Sequence, residues 1–342
     1  MVSNPVRIAV DAMGGDFAPH EIVDGAIQGS RESGVTVLLV GRADQIEAEL
    51  AKHDTQGASY EVIPASEVVA MDEAATEVRR KRDASISVTA KCVKSGQAQG
   101  MVAAGSTGAA MAAATLYIGR IDGVDRAAIG VVLPSAAEPC LLIDAGANAD
   151  CTPEMLTQFG VMGNIYMHNV YNVEQPRVGL LNIGEEQSKG NAFAHAAFQL
   201  LERDPRFHFI GNIEGRDLFN GGADVAVTDG FTGNVALKSA EGVMRMFKTI
   251  LKAELMRDFR SKMGALMVKP YLAGAGKRVD PEEFGGALLL GVNGICVISH
   301  GGSRARGIKN AIRVAKESVD AGVLQKISSQ IREGVGTHEP AQ

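Results

Sequence analysis

The sequence predicts an α/β fold, namely a mostly parallel and doubly wound sheet. Strand-like and helix-like segments alternate along the chain, which is typical of right-handed βαβ units. Apolar runs end repeatedly at small clusters of Gly and polar residues, which lie within 8–16, 102–108, 141–148, 180–191, 209–215, 225–234 and 297–303. Because the carboxyl ends of parallel strands meet at one edge of a sheet, we expect these loops to line a single ligand-binding crevice.

The first part of the chain supplies four strands, each followed by a helical pattern. Strands are predicted at 6–11, 35–41, 60–66 and 100–105, and helices at 19–34, 43–53, 72–96 and 109–119. Pro19 stands in the first turn of the first helix, where a missing N–H leaves no helical bond unmade. The pattern at 109–119 is rich in small residues, which suits close packing.

The second part adds a hairpin and the longest helix. Strands are predicted at 127–134, 140–146, 177–184, 207–213 and 224–228, and the turn SAAEP joins the first two. Thr152 and Pro153 are typical of the N-cap and first position of a helix that reaches about Asn169. The longest helical pattern covers 234–262, and the Met, Leu and Gly-rich segment 261–280 is expected to be a loop or hairpin. The run 285–301 then precedes two terminal helices at 303–320 and 322–333.

The composition restricts the class of protein. A net charge of −6 disfavours wholesale nucleic-acid binding, because counterion release needs a basic face. The four cysteines are scattered, with no CxxC and no His at metal-ligand spacing, which favours reduced thiols in a cytosolic protein over disulfides or a zinc site. The N-terminus lacks a signal-peptide run, and no apolar run approaches a membrane span. We therefore expect a soluble protein that can still touch a membrane surface.

Three common site signatures are incomplete. In AGAGKR, Arg278 stands where a Walker loop needs Ser or Thr, and Tyr271 stands where it needs its first Gly. Ala104 occupies the first Gly position of a nucleophile elbow around Ser106. No GxGxxG follows the first strand, which disfavours a Rossmann dinucleotide site.

Two loops have the residues of an anion-binding cradle at the start of a predicted helix. They are Ser106 and Thr107 in one loop, and Asp229, Thr232, Gly233 and Asn234 in the other. Unsatisfied N–H groups and the helix dipole favour negative charge at such a position. The alternative is that Thr232 or Asn234 serves only as an N-cap.

The loop after the first strand offers a third candidate. Gly14, Gly15 and Asp16 lie where a backbone turn can approach an anion, although a tight turn with Asp16 as a cap is equally compatible with the sequence. Asp11 ends the strand itself. A carboxylate at that position usually meets a ligand, a basic residue or a helix N-terminus.

A fourth loop is unusually polar. It contains Asn182, Glu185, Glu186, Lys189 and Asn191. So dense a polar set after a buried strand indicates more than a turn, and Lys189 could neutralise a phosphate or a developing oxyanion. Near the last strand, His300 could carry a proton, although most lone histidines are structural.

Two basic segments and one apolar segment stand out beyond these loops. The run 79–82 is Arg-Arg-Lys-Arg, and Arg245, Lys248 and Lys252 share one face of the longest predicted helix. Charge runs are usually solvated faces, but arginine also suits phosphate or an acidic partner. Met263, Leu266 and Met267 are flanked by lysines, a composition that suits a membrane surface.

Nine segments, in order, resemble the PlsX-type phosphate acyltransferases. They are AVDAMGGD, MDE…VRRKRDAS, AGSTGA, DAGAN, QFGVMGNIY, RVGLLNIGEEQSKGN, IGNIEGRDL, DVAVTDGFTGNVALK and GGALLLGVNG…SHGGS. The resemblance covers the chain from about Arg7 to about Arg332, and the two segments around Lys189 and Asn234 are highly specific. The segment 256–278 is too variable to be matched.

The resemblance implies an enzyme that reversibly moves a long-chain acyl group from acyl carrier protein to inorganic phosphate, giving acyl phosphate for phospholipid (phosphatidic acid) synthesis. It also implies a fold like that of isocitrate and isopropylmalate dehydrogenases and of phosphotransacetylases. Further implications are a homodimer in the cytoplasm, a peripheral link to the inner face of the cell membrane, and handover of the product to a membrane glycerol-3-phosphate acyltransferase. Two alternatives stay open: a phosphotransacetylase-like enzyme that uses acyl-CoA, and a decarboxylating NAD-dependent dehydrogenase on the same fold.

With this resemblance the candidate residues take roles. Catalytic roles are assigned to Lys189, Asn234, Asp229, Asn182 and His300, and phosphate or substrate binding to Asp11, Gly14, Gly15, Asp16, Ser106, Thr107, Asn148, Glu185, Thr232 and Gly233. Arg79, Arg80, Arg82, Arg245, Lys248 and Lys252 are assigned to docking of acyl carrier protein, and Met263, Leu266 and Met267 to membrane contact. No metal or cofactor is expected. We expect one domain at 1–334, with two lobes around a cleft and a helical hairpin at about 241–280, and a flexible tail at 335–342.

Overall fold

The computed structural model describes residues 5–278 and 280–335. Their strands are β1 (Arg7–Asp11), β2 (Thr36–Gly41), β3 (Ser59–Pro64), β4 (Gly100–Ala103), β5 (Ala128–Leu133), β6 (Cys140–Ile143), β7 (Arg177–Leu181), β8 (His208–Ile213), β9 (Val225–Val227), β10 (Ala287–Leu290) and β11 (Ile295–Ile298). All belong to one sheet with the order β3-β2-β1-β4-β11-β10-β5-β6-β9-β7-β8. The chain thus forms an open α/β sheet.

The helices cover both faces of this sheet. They are α1 (His20–Ser33), α2 (Ala43–Leu50), α3 (Ser85–Lys94), α4 (Thr107–Ala113), α5 (Pro153–Val170), α6 (Ala192–Arg203), α7 (Gly230–Leu255), α8 (Phe259–Arg278), α9 (Ala305–Asp320) and α10 (Val323–Val335). Alternate strand residues point to opposite faces. Ile8 and Val10 pack in a core that includes residues of α1, α5 and α9, whereas Ala9 packs in a core with α3 and α4. The sheet is therefore doubly wound, as predicted.

The direction of the strands divides the sheet into two parallel groups. Seven of the ten strand pairings among the described residues are parallel. The pairings β11–β10, β10–β5 and β5–β6 are antiparallel. Because three reversals are an odd number, β3-β2-β1-β4-β11 runs opposite to β6-β9-β7-β8. The prediction of a mostly parallel sheet is confirmed.

The expectation that all polar loops line one edge is wrong. The loops after β1, β4 and β11 lie at one edge of the sheet, which we call the first edge. Those after β6, β7, β8 and β9 lie at the opposite edge, the second edge. The candidate residues are thus sorted into two groups by strand direction.

A protruding hairpin of two long helices is present, also as predicted. Of the 26 residues of α7, only Gly230 and Gly233 are buried, so that the helix leaves the sheet after its first turn. The turn of the hairpin is 256–258, between α7 and α8. Of the loop or hairpin expected at 261–280, the loop is wrong and the hairpin is present, because Phe259–Arg278 is helical despite Pro270 and forms its second arm. The predicted tail, 335–342, lies outside the described residues except for Val335, the last residue of α10.

The root of α7 fits against the end of β6 with no space for a side chain. A Cβ atom built on Gly233 would lie 1.9 Å from the main-chain oxygen of Asp144. Such contacts do not occur between real atoms, and a backbone oxygen cannot rotate away as a side chain can. Glycine is therefore required at this crossing.

We expect Gly233→Ala to lower the free energy of unfolding by about 1–3 kcal/mol, because the added methyl group forces α7 away from β6. The matched control is Gly242→Ala on the same helix, where nothing lies within 4 Å of the added carbon. That change should stabilise the protein by about 0.5–1 kcal/mol through helix propensity. Urea unfolding midpoints measure both, and equal effects of the two variants would contradict the close contact.

Candidate active site

The first edge is built from three loops in mutual contact. The main-chain N–H of Asp16 donates to the oxygen of Gly301 (2.9 Å), and that of Ser299 donates to the oxygen of Ala103 (2.8 Å). Gly15 has φ of 109°, and a Cβ atom on it would lie 3.0 Å from the oxygen of Ala104. The loops after β1, β4 and β11 therefore form one continuous surface, as the sequence predicts for these three.

Asp11 lies beneath this surface. Its side chain is 3% exposed, and its Oδ1 accepts the Met13 N–H at 3.2 Å. A Cβ atom on Gly14 would lie 2.7 Å from Oδ2, so glycine is needed beside the carboxyl group. Burial raises the pKa of Asp11.

His300, Ser106 and Thr107 stand on the same surface. The Nδ1 atom of His300 accepts the Gly302 N–H at 3.0 Å, so the proton of the neutral imidazole lies on Nε2. His300 is exposed. Ser106 is the N-cap of α4, with Oγ 3.5 Å from the Ala109 N–H, and Thr107 is exposed as the first residue of that helix. Their assignment to substrate binding stays a prediction.

At the second edge, the loop after β6 is organised by Asp144, which is fully buried. One carboxylate oxygen accepts the N–H groups of Ile129 (3.0 Å), Gly146 (3.0 Å) and Ala147 (2.9 Å). The other accepts the main-chain N–H and the side-chain amide of Asn148, both at 2.8 Å. Five donors converge on one carboxylate. The loop conformation is thus fixed by a single side chain.

Asn148 then positions the first turn of α7. Its side-chain amide also donates to the oxygen of Ala127 (2.8 Å), and its main-chain oxygen accepts the Gly230 N–H (2.8 Å). Both hydrogens of the Asn148 amide are therefore used inside the chain. A role of this residue toward substrate stays a prediction.

The N-terminus of α7 carries its own cap. The Asp229 carboxylate accepts the main-chain N–H and the hydroxyl of Thr232, both at 2.8 Å. Asp229 is therefore the N-cap of α7, and the alternative that Thr232 or Asn234 caps this helix is wrong. Asn234, one turn further on, is exposed and lies beside Gly146, on which a Cβ atom would lie 3.4 Å from the Asn234 Oδ1. Its side chain therefore lies next to the loop after β6.

The loop after β7 brings Lys189 to the same edge, because β7 pairs with β9. Asn182 holds this loop: its amide donates to the oxygen of Lys189 (3.2 Å) and to Asn212 Oδ1 (3.1 Å), and its Oδ1 accepts the Ile183 N–H (2.8 Å). Lys189 is exposed, and in the part of the chain that is described its ammonium group has no hydrogen-bond or ion-pair partner. The lysine is available to an anion from solution.

Glu185 is engaged elsewhere in that loop. Its carboxylate pairs with Arg216 at 2.9 Å, and Arg216 also contacts Glu214 at 3.1 Å. Arg216 was not predicted as a site residue. It neutralises the acidic part of the loop, so that Lys189 is not the counterion of Glu185.

The thiol groups offer no activated nucleophile. Burial raises the pKa of Cys151 to about 11, and raises that of Cys140 and of Cys296 to about 12. The pKa of Cys92 is raised by burial as well. Because the thiolate is the nucleophilic form, none of the four cysteines is poised for acyl transfer at neutral pH.

The two basic segments lie in different places. The segment 71–82 covers the first edge: a Cβ atom on Gly301 would lie 2.6 Å from Met71, and one on Gly108 would lie 3.3 Å from Ala75. Within it, Arg80 pairs with Glu77 at 3.3 Å and Lys81 with Glu73 at 2.7 Å. Arg79 and Arg82 are exposed, and no ion pair involves either of them in the described residues.

The second basic set, Arg245, Lys248 and Lys252, lies along α7, beyond its root at the second edge. These residues also lack ion pairs within the described ranges. Met263, Leu266 and Met267 lie on α8 rather than in a tip loop, and their exposed fractions are 47%, 64% and 76%.

Comparisons with known proteins agree with this architecture. The model of a family described as "Fatty acid synthesis protein" matches residues 6–326. The chain belongs to that family. Among its curated relatives, the phosphate acyltransferase of Heliobacterium modesticaldum is 51% identical over 329 residues (95% of this chain, 98% of the relative), and that of Nostoc punctiforme is 52% identical over 333 residues (96% and 98%). The chain is therefore an acyltransferase of fatty acid or phospholipid synthesis.

Solved structures show the same fold in more distant proteins. A phosphotransacetylase from Streptococcus pyogenes superposes with a TM-score of 0.63 at 18% identity, covering 93% of this chain and 95% of its own. A 4-hydroxythreonine-4-phosphate dehydrogenase from Klebsiella pneumoniae gives a TM-score of 0.54 at 12% identity, with 91% and 98% covered. The predicted phosphotransacetylase-like fold is confirmed.

Proposed function

We propose that this acyltransferase reversibly transfers a long-chain fatty acyl group from acyl carrier protein to inorganic phosphate. The product, an acyl phosphate, would serve phosphatidic acid and phospholipid synthesis. The observation that carries the proposal is at the second edge, where Lys189 and Asn234 are both exposed. Lys189 lies on the loop after β7, and Asn234 lies at the start of α7, which follows the adjacent strand β9. Hydrogen bonds of Asn182 hold the loop of Lys189, and those of Asp144 hold the loop against which Asn234 lies. The two residues therefore have defined positions relative to each other.

The reaction asks for positioning more than for acid–base chemistry. Phosphate is already anionic, and a thiolate is a fair leaving group. An oxygen of phosphate attacks the thioester carbonyl carbon, and the tetrahedral intermediate then collapses as the carbon–sulfur bond breaks and the thiolate leaves. Lys189 binds phosphate, and the Asn234 amide donates to the developing oxyanion. Holding two reactants in line lowers a barrier by about 7–11 kcal/mol.

The raised pKa values of the four cysteines disfavour an acyl-enzyme on a thiol, which is consistent with direct attack by phosphate. Asp229 and Asn182 act from behind the surface, one through the start of α7 and the other through the Lys189 loop. His300, with the residues of the first edge, lies at the opposite end of the strands. In the proposal, that edge binds another part of the substrate.

We expect Lys189→Ala and Asn234→Ala each to lower kcat by about 10²–10³-fold, since each removes one donor to phosphate or oxyanion. Formation of acyl phosphate from palmitoyl-acyl carrier protein and phosphate, trapped as the hydroxamate, measures this. Lys238→Ala is the matched control, because that lysine lies on α7 and already pairs with Glu241 at 3.0 Å. Full activity of both site variants, or an acyl-enzyme detected by mass spectrometry, would refute the proposed chemistry.

Two alternatives are tested by the choice of donor and ligand. A phosphotransacetylase-like enzyme, which the Streptococcus pyogenes fold match favours, would use palmitoyl-CoA at least as well as the carrier-bound substrate. A decarboxylating dehydrogenase would bind NAD in calorimetry. The proposal requires preference for acyl carrier protein and no NAD binding.

Docking of the acidic carrier is proposed at the two basic segments. Arg79, Arg80 and Arg82 flank the first edge, and Arg245, Lys248 and Lys252 share a face of α7. Their charges are exposed and positioned to attract an acidic partner over several ångströms of solvent.

Charge reversal should weaken this docking. We expect Arg80→Glu or Lys248→Glu to raise the KM for acyl carrier protein by about fivefold, equivalent to about 1 kcal/mol, and to flatten its salt dependence. Arg332→Glu on α10, whose side chain is 67% exposed, is the control. If neither KM nor its salt slope changes in the two docking variants, the carrier binds elsewhere.

Contact with the cytoplasmic face of the membrane is proposed for α8. Met263, Leu266 and Met267 form an exposed apolar patch on this helix between Lys262 and Lys269. Apolar residues ringed by lysines suit an anionic lipid surface. Among the described residues, no helix has the length and apolarity needed to cross a bilayer. In the proposal, the patch brings the acyl phosphate to a membrane glycerol-3-phosphate acyltransferase.

Leu266→Glu should lower binding to vesicles that contain anionic lipid several-fold, because a carboxylate replaces a side chain that enters the lipid interface. Flotation of the protein with such vesicles measures the bound fraction. Leu116→Glu, at a leucine that is 47% exposed in the helical turn after α4, is the matched control. Unchanged flotation of Leu266→Glu would rule out this contact surface.

A homodimer completes the proposal. Beyond its first turn α7 exposes Val243, Met246, Phe247 and Ile250, with exposed fractions of 56–60%. A row of large apolar side chains on one helix is typical of an interface.

A further inference from the structure

We propose a binding site for a divalent first-row transition metal ion between α1 and the end of α2, formed by His20, Glu49 and His53. It lies outside both groups of active-site loops and does not depend on the proposed function. The three residues each offer one ligand atom, and these atoms lie within 4.8 Å of one another. Two imidazoles and one carboxylate are a ligand set that suits Zn²⁺, Co²⁺ or Ni²⁺ rather than Mg²⁺ or Ca²⁺.

The spacing of the three ligand atoms is close to the spacing expected around a bound metal ion. The Nδ1 atom of His20 lies 2.6 Å from Glu49 Oε1, and the Nε2 atom of His53 lies 3.1 Å from the same oxygen. Ligands of a tetrahedral zinc ion, at about 2.0–2.2 Å from the metal, are about 3.3 Å apart. The first pair would have to separate by less than about 1 Å. The two imidazole rings are already stacked, with centroids 5.6 Å apart.

The carboxylate is the fixed part of the site. The Glu49 side chain is 5% exposed, whereas that of His20 is 64% exposed. Because Glu49 is already restricted by burial, binding a metal costs it little further side-chain entropy. A glutamate on the surface would lose that entropy on binding. Glu49 and His53 are four residues apart and lie on one side of the end of α2 and the turn after it. His20, 29 residues from Glu49, comes from the first turn of α1, which is why no sequence motif marks the site.

A second carboxylate lies behind one of the ligands. Asp24 Oδ1 lies 3.6 Å from Nδ1 of His53, the ring nitrogen that does not face Glu49. This distance is too long for a hydrogen bond, but a carboxylate on that side of the ring is common behind metal-binding histidines. The fourth ligand position is open to solvent at His20.

One cation already contacts the site. The Lys52 ammonium lies 2.7 Å from Glu49 Oε2, and the side chain is 64% exposed. It competes with a metal for the carboxylate but can move into solvent. An ion bound here would link the first turn of α1 to α2. Because α1 directly follows the loop that carries Asp16, the ion would restrain one side of the first edge.

The test is binding of Co²⁺ and Zn²⁺ to the tag-free, EDTA-treated full chain. We expect one ion per chain by calorimetry, a Co²⁺ absorption spectrum without a thiolate charge-transfer band, and a higher Tm with Zn²⁺. His20→Ala and His53→Ala should each weaken binding at least tenfold and abolish the rise in Tm. His20 is exposed, so its variant is expected to fold. His208→Ala, at an exposed histidine on β8, is the control and should bind as the wild type does.

Lys52→Ala separates this site from nonspecific association. Removing the ammonium group should leave binding at least as tight as in the wild type, because the competing cation is gone. No binding by the wild-type protein at 100 µM of either metal (roughly the upper limit for a specific site) would overturn the proposal. Equal affinity of the His20→Ala, His53→Ala and wild-type proteins would overturn it as well, as would weaker binding by Lys52→Ala.

Discussion

The arrangement of the second edge depends on the hydrogen bonds that the buried Asp144 carboxylate accepts. Its five N–H donors come from the start of β5 and from the loop after β6, so it joins two antiparallel strands to the loop between β6 and α5. Through Asn148 the same network holds Gly230, and the main-chain oxygen of Asp144 faces Gly233. The buried Asp144 side chain therefore sets the direction in which α7 leaves the sheet. That direction in turn determines where Asn234 lies relative to the sheet.

Much of the fold could be predicted from local patterns. Alternating apolar runs and helical periodicity located the strands and the doubly wound sheet, because each pattern reflects burial of that segment alone. Strand direction could not be predicted in this way. The hairpin between β5 and β6 was recognised, but β11 pairs with β4 across about 200 residues of chain. The placement of β11 beside β4 fixes the number of reversals of strand direction across the sheet. No local sequence pattern encodes this placement.

The candidate site was predicted in part, for a similar reason. Lys189 and Asn234 are exposed, as a ligand-binding role needs, whereas the amides of Asn148 and Asn182 hold loops from inside. In the sequence, an asparagine that binds a ligand after a strand looks the same as one that holds a loop. Asp144 had a detectable signal, since it directly follows a strand and precedes Gly146, much as Asp11 ends a strand before Gly14. For α8, the spacing of Phe259, Met263, Leu266 and Met267 is helical, but Gly264 and Pro270 obscured it.

The path of the chain through the sheet also governs the order of folding during synthesis. The chain begins in the group β3-β2-β1-β4-β11, crosses to β6-β9-β7-β8, and returns through β10 to insert β11 beside β4. Proteins leave the ribosome N-terminus first. All strands of the group β6-β9-β7-β8 are therefore synthesised while one edge of β4 is still unpaired. Likewise α1 is synthesised long before α9, against which it packs, and the first N–H of α9 donates to Glu21 at 2.9 Å. The half of the sheet that emerges first is the last to close.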